Sequence, residues 1–91
     1  MFKISTDVLS GEAKGFHLVF ANGFTASVQW GRGNYADRLE NGGAANAEVA
    51  AWGPDENWWH APGFDYHGDD VLGNVTSDEV VRFLQEVANA R

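Results

Sequence analysis

The chain contains no cysteine, which excludes disulfides and thiolate metal centres as sources of stability. No stretch approaches the roughly 20 apolar residues of a membrane-spanning helix, and Met1 to Thr6 lacks the apolar run of a signal peptide. The expected address is therefore the cytoplasm. Lysine and arginine are missing from Leu39 to Val81, a stretch that carries Glu40, Glu48, Asp55, Glu56, Asp65, Asp69, Asp70, Asp78 and Glu79. All six basic residues lie outside it, and the net charge is −7. Such a surface repels nucleic acid and anionic membrane at long range, so neither is an expected partner. The same charge suits either a solvated surface or a mimic of a phosphate backbone. No serine sits in a G-x-S-x-G elbow and nothing fixes two carboxylates at glycosidase separation, so a non-enzymatic, stoichiometric role is expected. Repeats and low-complexity tracts are absent as well. At 91 residues the chain is expected to form a single domain over 1–91, with one modest core.

What is present begins with a hairpin. Gly15 to Trp30 reads G-FHLVFA-NG-FTASVQW, two apolar runs flanking Asn22-Gly23, whose residues tolerate the positive φ of a type I′ turn. A two-residue loop pairs Ala21 with Phe24, Val19 with Ala26, His17 with Val28 and Gly15 with Trp30. That register predicts a core face of Val19, Phe24, Ala26, Val28 and Trp30. The other face then pairs Phe20 with Thr25, Leu18 with Ser27 and Phe16 with Gln29. It is either the partly covered second side of the sheet or the floor of a ligand site. A longer turn would exchange the faces.

Around the hairpin, Phe2 to Thr6 alternates as a short strand, and Asp7 to Lys14 is a polar connection. The region 31–46 is a long glycine-rich loop. Ala47 to Trp52 reads as a strand, turned at Gly53-Pro54-Asp55-Glu56-Asn57 into Trp58-Trp59-His60 as a second hairpin. Asp70 to Val75 is a further short strand. Thr76 and Glu79 form a capping box, with Val75 and Val80 as a hydrophobic staple, opening a helix over 76–90. Val80, Phe83, Leu84 and Val87 form its apolar stripe, widened by Val81 and Ala88, while Arg82 and Glu86 pair on the outer face. The expected fold is α+β, an antiparallel sheet of four or five strands with one carboxy-terminal helix on a face.

Three groups of residues could carry chemistry. In W-G-R-G-N-Y-A-D, glycines beside Arg32 let backbone N–H groups face an anion or a planar ring. Gln29 and Asn34 can read a base edge there, Tyr35 can stack, and Arg32 can grip phosphate or carboxylate. The expected ligand-binding set is Gln29, Trp30, Arg32, Gly33, Asn34, Tyr35, Asp37 and Trp52; the same loop could equally be a turn stapled by its own contacts. Four tryptophans exceed what so small a core accommodates, so one or two should reach a surface, to stack on a ligand or to make a homodimer contact through the second hairpin. Trp58 and Trp59 should point to opposite faces. His60, Asp65, His67 and Asp69 are weak metal candidates, since alternation in an extended segment would align Asp65, His67 and Asp69; a polar surface loop is the other reading. No cofactor is expected.

The runs GFHLVFANGFTASVQWGRGNYAD, AEVAAW and V-x-G-x-x-T-x-DEV resemble a group of small bacteriophage-encoded proteins. That group shares an FANG-x-T-x-SVQ-[WF]-G-x-GNY-x-D core, followed by AE-[VI]-A-x-W and a closing helix. Members often carry Cys and Asn-Arg where this chain has Ala36-Asp37-Arg38, so no thiol acts here. The resemblance implies a phage accessory protein in the host cytoplasm, countering host defence by sequestering a small nucleotide-like or polar ligand. An acidic inhibitor of a host nucleic-acid-binding protein would instead use Asp55, Glu56, Asp65, Asp69 and Asp70. A structural or virion role is the third expectation.

Overall fold

The computed structural model describes residues 1–4, 13–31 and 46–91. Five strands, β1 (Phe2–Ile4), β2 (Ala13–Val19), β3 (Thr25–Gly31), β4 (Asn46–Trp52) and β5 (Val71–Thr76), form one sheet in the order of the chain, each antiparallel to its neighbour. The helix α1 (Ser77–Ala88) follows β5 without a loop and packs across β3, β4 and β5. The expected α+β architecture is the one observed.

The first hairpin corrects the register. Phe20 N–H donates to the Phe24 carbonyl and Gly23 N–H to the Phe20 carbonyl, both at 2.9 Å, closing a loop of Ala21, Asn22 and Gly23. Gly23 takes φ +86, the left-handed position that ends such a three-residue turn. Val19 therefore faces Thr25, Leu18 faces Ala26, and Phe16 faces Val28. One extra loop residue exchanges the faces of β2. Phe16, Leu18 and Phe20 join Phe24, Ala26, Val28 and Trp30 on the helix side, whereas Gly15, His17 and Val19 turn to the other side with Thr25, Ser27 and Gln29.

Asn22 explains why the loop is built this way. Its side-chain amide donates to the carbonyls of Val87 at 2.9 Å, Ala88 at 3.2 Å and Ala90 at 3.0 Å, while its Oδ1 accepts from Phe24 N–H at 3.0 Å. The carbonyls left over at a helix end need donors. Here they come from a turn more than sixty residues earlier in the chain, which ties α1 to the sheet.

The core lies between α1 and one face of the sheet. Ala26, Ala47 and Ala51 are small enough to bring the helix close, and Val49, Leu72, Val75, Phe83 and Val87 fill the space. Phe83 is fully buried, edge-on to Phe64 at 5.8 Å. Val81, expected to widen the apolar stripe, is instead more than half exposed, and Ala88 is exposed too. The Arg82 guanidinium lies 4.7 Å from the centre of the Phe64 ring. The capping box is present as expected: Glu79 N–H donates to Thr76 Oγ1, and Thr76 N–H to Glu79 Oε1.

Beyond β4 the expected second hairpin shrinks to a single bridge between Trp52 and Trp58. Gly53 N–H donates to the Asn57 carbonyl and Glu56 N–H to the Gly53 carbonyl, the same pattern as the first loop, with Glu56 at φ +67 in the place of Gly23. Trp58 and Trp59 do point to opposite faces: Trp59 meets Phe24 on the core side, and Trp58 meets Trp52 on the other. Strand β5 carries a bulge, because Ala47 faces Val75 whereas Val49 faces Leu72, leaving Gly73 and Asn74 opposite Glu48. Asn74 adopts φ +56 there.

Candidate functional site

The sheet face away from α1 is polar and hollow. The cross-strand row His17, Ser27, Ala50, Val71 runs over its middle. Serine and alanine at the centre keep the floor low, between Gln29 and Glu48 at one end and Trp52 and Trp58 at the other. The resulting trough encloses about 260 Å³.

Each wall is held in place. Gly15 stands opposite Gln29, and a Cβ there would lie 2.5 Å from the Val28 carbonyl oxygen and 2.8 Å from Gln29 Cγ. Only glycine leaves that volume to Gln29. The Gln29 amide donates to Ser27 Oγ at 3.0 Å, and Ser27 is buried on the face away from α1. The His17 ring meets Trp52 edge to face at 5.3 Å and 86°, and Trp58 meets Trp52 at 5.9 Å and 90°. Among the described residues Trp58 is the most exposed tryptophan, at 54%. The trough combines a side-chain amide, a hydroxyl and an imidazole with two indoles.

Of the sequence-predicted residues, Gln29 and Trp52 come together here. Trp30 does not: strand alternation puts it on the helix side, packed against the core and edge-on to Phe16 at 6.3 Å. Arg32, Gly33, Asn34, Tyr35 and Asp37 lie outside the described residues. His17, Ser27, Glu48, Ala50 and Trp58 were not in the expected set. The alternation of Thr25, Ser27 and Gln29 marks the polar face of β3, but finding the partners from β2 requires the three-residue turn.

The weak metal candidates do not converge. His60 Nε2 lies 2.8 Å from Asp70 Oδ1, His67 Nδ1 lies 3.6 Å from Asp65 Oδ1, and Asp69 accepts from Asp70 N–H instead. The extended segment expected across Asp65, His67 and Asp69 is a turn, with His67 at φ +50, Gly68 at φ +83 and Asp69 N–H donating to the Tyr66 carbonyl. Among the described residues no three His, Asp or Glu side chains are grouped to hold a metal ion. His60 stacks on Tyr66 with ring centres 4.0 Å apart. Tyr66 OH accepts from Ala61 N–H at 2.7 Å, and burial pushes its pKa up.

Several carboxylates of the acidic stretch have local work. Asp55 accepts from Asn57 N–H, Asp65 from His67 N–H and Asp69 from Asp70 N–H. The bond from the Asn57 backbone is the main reason the Asp55 carboxyl is held below its ordinary range. These are side-chain caps of tight turns. No helix among the described residues is long and apolar enough to cross a membrane.

Compared with known proteins, the chain matches no family model, no curated protein and no solved structure.

Proposed function

We propose that this protein is a stoichiometric binder that takes a small polar, nucleoside-sized ligand into the trough on the sheet face away from α1. One observation carries the reading: Ser27 and Ala50 hollow out the centre of that face, while Gln29, His17, Trp52 and Trp58 ring it with donors, acceptors and stacking surfaces. The ligand's ring stacks on indole and its edge meets the Gln29 amide and the Ser27 hydroxyl. The resemblance to small phage proteins supplies the setting, in which the binder withdraws its ligand from the infected cell without transforming it.

Titration with a panel of nucleosides, followed by tryptophan fluorescence and calorimetry, tests the reading. Saturable one-to-one binding is expected. Gln29→Ala should weaken it about tenfold, the worth of one lost hydrogen-bonding group. Trp58→Ala should abolish it with the melting temperature nearly unchanged. Sedimentation of the wild type and Trp58→Ala separates capture from self-association through the exposed indole. A dimer that Trp58→Ala dissolves, with no ligand bound by either, would replace this reading with an interface.

A further inference from the structure

On the Glu56 side of the tryptophan pair lies a second hollow of about 230 Å³, lined by Trp52, Trp58 and Glu56. We propose that this corner binds the ammonium head, quaternary or protonated, of a small molecule. The inference rests on the preceding reading, in that Trp52 and Trp58 are the binding surface, and it adds the ligand's charge.

Two indoles meeting at 90°, with centres 5.9 Å apart, make two walls at right angles. Indole faces attract cations through the ring quadrupole more strongly than any other side-chain ring. The third lining residue is Glu56, exposed at the rim, whose side chain carries the opposite charge. The sequence from Leu39 to Val81 holds no lysine or arginine, Arg91 lines a separate hollow on the Trp59 side of Trp58, and the chain's net charge of −7 draws cations in from solution.

The backbone points the same way. Glu56 occupies φ +67 in a turn whose hydrogen bonds match those of the first hairpin loop, where Gly23 fills the equivalent place at φ +86. Glycine adopts this conformation without strain, whereas a residue with a Cβ does not. The turn does not need this carboxylate for its own bonding, because Asp55 accepts from both the backbone and the side chain of Asn57. A strained residue that the turn itself does not require is a mark of function at the strained position.

The test uses the full chain. Choline and tetramethylammonium are titrated against tryptophan fluorescence and indole N–H shifts, with 3,3-dimethylbutanol as the uncharged isostere of choline and sodium chloride as the ionic control. Saturable binding of both cations is expected, with no binding of the alcohol, at least a tenfold loss in Glu56→Gln and complete loss in Trp58→Ala. Glu56→Gly should lose binding while melting at a higher temperature. Equal binding of choline and the alcohol, or undiminished binding by Glu56→Gln, overturns the inference. Nucleoside binding without ammonium binding overturns it and leaves the trough reading intact; silence toward both classes ends both. Free trimethyllysine and a trimethyllysine peptide then separate the sources: equal affinity assigns a small molecule, and binding of the peptide alone overturns that assignment.

Discussion

Asn22 shows how much one side chain can organise. Its amide faces three carbonyls at the end of α1, and its oxygen holds the loop that sets the hairpin register. Asn22→Ala leaves those carbonyls without this donor and loosens the turn. A loss of about 2 kcal/mol is expected, from several hydrogen bonds each worth about 0.5–1.5 kcal/mol net. Asn22→Asp keeps the acceptor for Phe24 N–H but presents a negative charge to the negative end of the helix dipole. It should be no more stable than the alanine variant. Urea denaturation decides this: an aspartate variant as stable as wild type would mean that the contacts to α1 contribute little.

At the scale of elements, the helix start carries a pH dependence of defined sign. Hydrogen bonds from the backbone and side chain of Thr76 are the main causes holding the Glu79 carboxyl below the ordinary glutamate range. A group depressed in the folded state stabilises the fold above its unfolded pKa and loses that contribution as the pH falls through the folded one. The stability difference between wild type and Glu79→Gln should therefore be constant near neutrality and shrink below the ordinary glutamate range. A pH series of thermal melts checks it; a difference that persists unchanged into acid would rule out the ionised cap as its source. Strand β5 offers a second test. Asn74 sits at φ +56 in the bulge, so Asn74→Gly should raise stability by about 0.5 kcal/mol or leave it unchanged, whereas Asn74→Val should cost more than 1 kcal/mol.

The same elements show what could be read from the sequence. The capping box and helical stripe are local signals, legible because the partners lie within four residues of one another. Strand β3 was legible from the apolar run after Asn22-Gly23, and β4 from the turn at Gly53 to Asn57. The hairpin register was not, because Asn22-Gly23 suits both a two-residue and a three-residue turn, and the choice rests on a helix end in contact with it only after folding. The β5 bulge was hidden for a similar reason: Leu72 and Val75 both reach the core, a spacing that strict alternation forbids. Of the site, Gln29 and Trp52 were visible as types, but the hollow between them depends on Gly15, Ser27 and Ala50, whose smallness has no meaning until the strands are paired.

At the scale of the molecule, the sheet has one face committed to α1 and one that no element among the described residues packs across, and neighbouring residues of β4 separate the two. Ala51 is fully buried under the helix, and Ala50, also buried, lines the floor of the trough. Both are small, but for different reasons. Ala51→Leu forces extra methyl groups into a packed core and should cost about 1–3 kcal/mol. Ala50→Leu pushes the same side chain into a hollow of about 260 Å³, where room exists. Its stability should stay within about 0.5 kcal/mol of wild type, while nucleoside binding disappears because the floor has risen. Denaturation and ligand titration of the two variants, side by side, give opposite patterns if the face away from α1 is a site. If Ala50→Leu binds as well as wild type, the hollow is only a gap between side chains; if it unfolds as readily as Ala51→Leu, that face is packed as tightly as the core.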